Sequence, residues 1–248
     1  MRESTLRITL HKQNLLSQKK GVVIIPVNNF FDTHLGDGVV CPRTIHGQFL
    51  KMCNIPPDEL SKLIHHKFKR KHNLFNEKFK VLHKNVDRNL DGKTPYLNLN
   101  NTSYPLGSSI LLSSKDIGVS RGQEAEAEYL LFALTEFDHN NKVTNNIGDT
   151  MGAISTFLQE EMDSGRSFPS TGLCTYKLPF LGSGKGGLTE IESLSFMLTS
   201  APFYFLKNSV NFYGKLESFG HFDINIFHNA KPEMVQELNK IIQKFGVN

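Results

Sequence analysis

The chain has 248 residues, 39% of them hydrophobic and 21% charged; this length suffices to bury one core, so we predict a single domain over residues 1–248. Its net charge is a mild +4, and the absence of both a run of roughly 18–20 apolar residues and a leader pattern predicts a soluble, unexported chain. The three cysteines have neither disulfide-framework nor metal-ligand spacing, which disfavours both a disulfide framework and a structural zinc site and fits a reducing cytoplasm.

Strand patterns and helix patterns alternate along the chain. Several strand segments are continuous apolar runs, which are typical of strands covered by helices on both faces. The predicted strands are Leu6–Leu10, Gly21–Val27, Ser109–Ser113, Tyr129–Thr135, Cys174–Leu181 and Ile224–His228. Apolar stripes at helical spacing predict helices over Asn146–Met162 and Lys231–Phe245. The fold class is therefore α/β, a three-layer α/β/α sandwich around a mixed central sheet.

The second predicted strand leads into a polar loop. It ends at Asn28 and Asn29, and then come Gly36-Asp37-Gly38 and a short helix that carries Ile45-His46-Gly47. Open α/β sheets bind ligands at the carboxyl ends of their strands, so both asparagines are candidate ligand residues. Two alternatives stay open: the asparagines cap the strand end, and His46 is a hydrogen-bonded helix residue.

A basic segment follows. Residues 62–84 carry eight Lys or Arg, four His and one acidic residue, Glu77. Such a patch suits nucleic acid or anionic lipid, but no helix-turn-helix, zinc-finger or RNP pattern accompanies it. Apolar residues at helical spacing favour a solvated amphipathic helix that begins near Pro57; they are Leu60, Leu63, Ile64 and Phe68. We expect the helix and no nucleic-acid partner.

The chain becomes polar and asparagine-rich between Asn73 and Leu106. A stretch of that length without clear periodicity is unusual inside a compact domain. We predict an insertion at about residues 55–106 that acts as a lid or a contact surface.

The stretch "LPFLGSGKGGLTE", Leu178–Glu190, is rich in glycine. A Walker A loop is excluded, because Gly186 stands where a magnesium-binding hydroxyl is needed and Pro179 where the first glycine is needed. The spacing Gly182, Gly184 and Gly187 does satisfy G-x-G-x-x-G. Residues 201–209 contain no carboxylate to bind a ribose, so a dinucleotide oxidoreductase is disfavoured.

The same stretch has the chemistry of an anion site. Thr189 and Glu192 form a T-x-x-E capping box, which predicts that a helix begins just after the glycines. Glycines before a helix start let backbone N–H groups converge on an anion, and the helix dipole favours negative charge there. We predict a phosphate site; a tight turn without a ligand is the alternative.

Together these segments resemble the macro domain, the ADP-ribose-binding fold. The strand "IIPVNNFFDT", the helix start "TIHGQF" and the loop "LPFLGSGKGGL" are similar to its asparagine-ended strand, Ile-His helix and second phosphate loop, and "YPLGSSILLS" and "YLLFALTEFD" resemble its central strands. The resemblance extends from about Leu6 to Phe245, except for the insertion between Asn73 and Leu106. Within the family, the motifs are most similar to the macro-type effectors of the bacterial Thoeris anti-phage system.

The resemblance implies which residues hold the ligand. Asn29, with Asn28, would bind the distal ribose, and backbone N–H groups of the second loop would wrap the pyrophosphate. Gln13 or Asn14 stands where the family has an adenine-reading aspartate, and Asp32 lies near a distal pocket suited to a modified ADP-ribose. The implied set is Asn14, Asn28, Asn29, Asp32, Gly36, Gly38, Val39, Ile45, His46, Leu181, Gly182, Ser183, Gly184, Lys185, Gly186 and Gly187.

The resemblance also implies a function. The chain would be a sensor for an ADP-ribose-derived signal, of the histidine-ADP-ribose or cyclic ADP-ribose type, which a TIR-domain enzyme makes and which activates an effector. We expect no cofactor, metal or catalytic residue, a homo-oligomer on ligand binding, and a cytoplasmic location, with membrane anchoring only through a segment outside this chain. The alternative is a macro-type ADP-ribosyl hydrolase, for which Asp32 and His34 are the local acid–base candidates.

Overall fold

The structure is a computed structural model. It describes residues 6–18, 20–36, 39–74, 84–85, 102–119, 127–140, 142–163, 173–183, 187–199, 221–227 and 231–244. The strands are β1 (Leu6–His11), β2 (Val22–Asn28), β3 (Lys84–Asn85), β4 (Thr102–Ser103), β5 (Ser109–Ser113), β6 (Glu128–Thr135), β7 (Leu173–Leu178) and β8 (His221–Phe227). The helices are α1 (Ile45–Met52), α2 (Pro57–Leu74), α3 (Ile147–Asp163), α4 (residues 190–199) and α5 (Pro232–Lys244).

The central sheet has six strands in the order β1-β8-β7-β2-β6-β5. Its neighbours pair in parallel except β5, which pairs antiparallel to β6. The predicted mixed sheet is thereby confirmed, and the six predicted strands are its members. β7 ends at Leu178, three residues before the predicted end, because Pro179 has no N–H group to extend the ladder.

Both faces of the sheet are buried. Val22 and Ile24 of β2 pack with α3, α4 and α5, while Val23 and Ile25 pack with α1 and α2. The alternation follows from the period of two in a strand, which sends successive side chains to opposite faces. Because both faces of β2 are buried, every residue of its run is apolar. The predicted three-layer α/β/α sandwich is confirmed.

The basic segment begins as a helix, as expected. Leu60, Ile64 and Phe68 of α2 are buried against the sheet, and Lys62, Lys69 and Arg70 are exposed. Most of the remainder of the predicted insertion, residues 75–83 and 86–101, lies outside the described residues, so the insertion stays a prediction. Within the part of the chain that the structure describes, no helix combines the length and apolar character needed to cross a bilayer.

Candidate functional site

Two loops follow neighbouring strands at the centre of the sheet. The first follows β2 and the second follows β7, and these strands are parallel neighbours. Both strands therefore run toward the same end of the sheet, where open α/β sheets bind ligands, although β7 ends at Leu178, one residue past the partner of Val23. The two loops hold nearly all of the predicted site residues.

The first loop opens with a tight buried turn. Phe31 N–H donates to the Asn28 carbonyl (3.0 Å), and Phe31 adopts a left-handed backbone with φ of +51°. The turn brings Asp32 back over Asn28: Asn28 Nδ2 donates to Asp32 Oδ2 (2.8 Å), and Asp32 N–H donates to Asn28 Oδ1 (3.2 Å). Two of the predicted site residues thus bind each other.

Asn29 joins three segments of the chain. Its Oδ1 accepts from Phe137 N–H (2.9 Å), and its Nδ2 donates to Ser103 Oγ (3.0 Å) and to the Phe137 carbonyl (3.5 Å). Both the oxygen and the nitrogen of the side-chain amide therefore form hydrogen bonds within the protein, as the alternative of a strand-end cap predicts. Ribose binding by Asn29 stays a prediction and requires the ligand to share or replace the Ser103 contact.

His46 lies at the start of α1, buried behind the first loop. Thr44 caps this helix, with Gly47 N–H donating to Thr44 Oγ1 (3.0 Å). Burial lowers the pKa of His46 to about 4, and this outweighs the opposing effect of the Asp32 carboxylate and of a hydrogen bond to the Asp32 backbone. His46 is therefore a neutral imidazole at physiological pH.

The lowered pKa of His46 predicts acid destabilisation. Above pH 6.5 the imidazole is neutral in both the folded and the unfolded chain; as the pH falls from 6.5 to about 4, the unfolded chain binds the proton first. Wild type should therefore lose about 3 kcal/mol more unfolding free energy across this window than His46→Gln. Urea denaturation at stepped pH measures the difference, and parallel pH curves for the two proteins would contradict it.

An aromatic cluster fixes the first loop to α2. The rings of Phe68 and Tyr104 stack at 4.2 Å, and Phe31 meets both edge-on at 5.0 and 5.5 Å. The Tyr104 hydroxyl lies 2.6 Å from His65 Nδ1. This packing offsets the cost of the left-handed backbone at Phe31. The sequence indicated none of these partners, although the apolar stripe of α2 did show that Phe68 faces the core.

The second loop is built on glycine and on the start of α4. Gly182 has φ of +79°, and its carbonyl accepts from Leu188 N–H (3.0 Å). The predicted capping box is confirmed: Thr189 N–H donates to Glu192 Oε2 (2.7 Å), and Glu192 N–H donates to Thr189 Oγ1 (3.2 Å). Ser193 Oγ donates to the Leu181 carbonyl (2.6 Å), which ties the loop to the helix.

The start of α3 forms one wall of the second loop. Thr150 is buried, and its Cγ2 would lie 2.7 Å from a Cβ on Gly182. Ile147 is 47% exposed, and its Cγ1 would lie 3.4 Å from a Cβ on Gly187. The sequence indicated α3 but not its position beside the glycines.

The structure groups some predicted residues and separates others. Asn28, Asp32 and His46 form one buried polar cluster, whereas His34 lies outside it with its Nε2 3.4 Å from Asp58 Oδ1. Asn14 Oδ1 accepts from Leu16 N–H (3.0 Å) and so caps a short 3₁₀ turn, Leu15–Ser17. Val39 is buried and Ile45 is half-buried, and both pack in the core on the α1/α2 side of the sheet. Gly36 N–H donates to the Val40 carbonyl (3.2 Å).

Leu181 and Gly182 are buried, Ser183 is half-buried and Gly187 is exposed. Four further predicted site residues, Gly38, Gly184, Lys185 and Gly186, lie outside the described residues.

The family follows from a comparison with known sequences. A family model described as the macro domain of the Thoeris protein ThsA matches residues 8–211. The chain belongs to this family. The comparison with curated proteins gives no match. Solved structures similar to this ThsA macro domain include a mutant macrodomain from Oceanobacillus iheyensis, with 14% identity and a TM-score of 0.51 over 97% of this chain and 94% of that chain.

A second structure, the Oceanobacillus iheyensis macrodomain with ADP, is 12% identical, with a TM-score of 0.50 over 97% of this chain and 93% of that chain. At such low identity the likeness establishes the fold, and the ThsA macro domain has the macro-domain fold. The resemblance read from the two loops is confirmed.

Proposed function

We propose that this ThsA macro domain is a sensor that binds an ADP-ribose-derived nucleotide. The observation that carries the proposal is the pair of loops at the carboxyl ends of β2 and β7, one ending against the capped start of α4 and the other against the capped start of α1. Helix starts favour anions, so a pyrophosphate suits the space between them. A macrodomain of the same fold holds ADP.

Two features support binding over hydrolysis. The Asp32 carboxylate is buried against Asn28, and His34 faces Asp58, so the two acid–base candidates have separate partners. The alternative is a macro-type ADP-ribosyl hydrolase; the neutral His46 is its third base candidate, but a pKa of about 4 makes it a weak proton acceptor. We therefore propose a binding domain without a cofactor of its own and keep hydrolysis as the competing outcome.

The source of the signal and its effect on the cell are proposed from the family name. The signal would be made by a TIR-domain enzyme in Thoeris anti-phage defence, as histidine-ADP-ribose or cyclic ADP-ribose. Binding would then activate an effector in the cytoplasm through homo-oligomerisation.

A ligand titration tests the proposal. ADP-ribose, cyclic ADP-ribose and histidine-ADP-ribose are each added to the protein in calorimetry and in thermal denaturation. A true ligand at about 100 times its dissociation constant should add roughly 2.7 kcal/mol to the unfolding free energy. Gly184→Val should abolish the effect because a branched side chain blocks the approach of phosphate to the backbone, while Lys185→Ala should keep most of it.

Three outcomes would count against this account. No shift with any of the three compounds would refute ADP-ribose binding. Loss of binding in Lys185→Ala would show that the loop acts through side-chain charge rather than backbone N–H groups. Turnover of ADP-ribosylated protein that disappears in Asp32→Asn would establish the hydrolase instead.

A further inference from the structure

Every hydrogen-bonding group of Asn29 already has a partner inside the protein. Its side-chain oxygen accepts from Phe137 N–H, and its side-chain nitrogen donates to Ser103 Oγ and to the Phe137 carbonyl. Its backbone N–H donates to the Thr135 carbonyl (2.9 Å), and its backbone carbonyl accepts from Tyr104 N–H (2.8 Å). Asn29 is also only 3% exposed. A ligand therefore has little access to Asn29 itself.

The neighbouring predicted ligand residues of the first loop are buried in the same way. Asn28 is 4% exposed and Asp32 is 2% exposed, and the two are bonded to each other. Ser103, by contrast, is half-buried. It lies on β4 at the carboxyl end of β2, because its Oγ contacts the Asn29 side chain and the N–H of the next residue contacts the Asn29 carbonyl. Of these four side chains, Ser103 is the one that solvent reaches.

The direction of the hydrogen bond between Asn29 and Ser103 follows from the Phe137 contact. A backbone N–H can only donate, so the side-chain atom of Asn29 that faces Phe137 N–H must be the oxygen. The amide nitrogen then faces Ser103 Oγ, which accepts the bond with one of its lone pairs. The Ser103 proton is left to donate, and the part of the chain that the structure describes gives it no acceptor. A hydroxyl oriented in this way, with a donor and a lone pair to offer, suits a sugar hydroxyl.

We propose that Ser103 makes the hydrogen bond to the distal ribose of the nucleotide and that Asn29 acts through it as a positioning residue. The inference rests on the proposed function and refines it, because the ribose contact predicted for Asn29 passes to a residue of the predicted insertion. The ligand shares the Ser103 hydroxyl and leaves the bonds of Asn29 intact.

The test titrates ADP-ribose, and ADP, which lacks the distal ribose, into wild type, Ser103→Ala and Ser103→Thr. Ser103→Ala should bind ADP-ribose about 3- to 10-fold more weakly than wild type, the effect of one lost hydrogen bond, and should bind ADP equally well. Ser103→Thr keeps the hydroxyl and should retain most of the affinity. If wild type binds only a conjugated or cyclic form, that compound replaces ADP-ribose.

Ser113→Ala is the matched control. Ser113 is also half-buried, and its Oγ also accepts an N–H bond, from Asp116 (3.2 Å). It lies opposite Glu128 at the start of β6, which is the other end of the sheet because β6 runs parallel to β2. This variant should bind both nucleotides as wild type does.

Asn29→Asp tests the positioning role. The carboxylate still accepts from Phe137 N–H, but its second oxygen takes the Ser103 proton and so removes that donor from the ligand. Both nucleotides carry the pyrophosphate, so repulsion by the new charge affects them alike. The ratio of ADP-ribose affinity to ADP affinity should fall as far as in Ser103→Ala, and in the double variant Asn29→Asp/Ser103→Ala it should fall no further.

Several results would overturn the inference while leaving the sensor intact. They are an unchanged ADP-ribose affinity in Ser103→Ala, an equal loss for ADP, and an equal loss in Ser103→Thr. A further fall of the ratio in the double variant would show that Asn29 contacts the ribose directly, and an unchanged ratio in Asn29→Asp would show that it does not position Ser103. If wild type binds none of the nucleotides in this or the preceding titration, the proposed function falls, and the role of Ser103 falls with it.

Discussion

Replacing Gly47 with alanine is expected to destabilise the protein by about 3 kcal/mol or more. A Cβ at this position would overlap the Cys41 carbonyl oxygen and lie 2.8 Å from Pro42 Cα. These are backbone atoms, and the carbonyl is held in place by Thr44, whose N–H and Oγ1 both donate to it at 3.1 and 2.8 Å. Helix α1 would have to move away from the first loop, carrying His46 with it.

Gly152→Ala is the matched control for Gly47→Ala. Gly152 lies within α3, and a Cβ there meets nothing within 4 Å. Alanine is a better helix former than glycine, so this variant should be more stable than wild type by roughly 0.5–1 kcal/mol. Chemical denaturation of both variants measures the change in unfolding free energy, which should be a loss for Gly47→Ala and a gain for Gly152→Ala. A stability gain in Gly47→Ala would show that α1 is not in close contact with the 41–42 segment.

Gly182→Ala is expected to destabilise the second loop and weaken nucleotide binding. The left-handed backbone of Gly182 costs an alanine roughly 1–2 kcal/mol, and its Cβ would lie 2.7 Å from Thr150 Cγ2 and 2.8 Å from Leu188 Cδ1. Thr150 does not rotate away easily, because its Oγ1 donates to the Asn146 carbonyl (3.1 Å) and accepts from Asn145 Nδ2 (2.7 Å). We expect a total loss of about 3 kcal/mol.

A second substitution separates the two causes. Thr150→Ser removes Cγ2 and keeps Oγ1, so the double variant Gly182→Ala/Thr150→Ser should recover the part of the loss that comes from the clash with Thr150. The backbone cost and the contact with Leu188 Cδ1 would remain. Unfolding free energies of the wild type, both single variants and the double variant give the coupling. Purely additive effects would contradict the contact, and an unchanged Gly182→Ala would contradict the geometry of the loop.

The elements that the sequence predicted are those with local causes. The run Val22–Ile25 is apolar at every position because both faces of β2 are covered. The hydrogen bonds of the Thr189/Glu192 capping box join residues only three positions apart. Each signal lies within a few residues of the structure it specifies. The same holds for Leu60, Ile64 and Phe68 on α2. Strand boundaries were predicted less accurately. The end of β7 was predicted at Leu181, but the strand ends at Leu178 because Pro179 cannot extend the ladder.

The part of the site that depends on distant residues was not predictable. Asn29 binds Ser103 and Phe137, which lie 74 and 108 positions away, and no local pattern marks either partner. Phe31 has a backbone conformation that is unfavourable on its own and depends on Phe68 and Tyr104.

The position of β1 has a consequence for how the chain reaches this structure. β1 lies at the edge of the sheet, and its neighbour there is β8, paired in register from Leu6 with Phe222 to His11 with Phe227. β1 therefore has no partner strand in this sheet until β8, which begins more than 200 residues later, has been made. Parallel pairing over such a distance folds slowly and leaves apolar strands exposed meanwhile. A ribosome stalled before β8 would hold a nascent chain in which β1 and one side of β7 are both unpaired, so chaperones should bind it until β8 emerges.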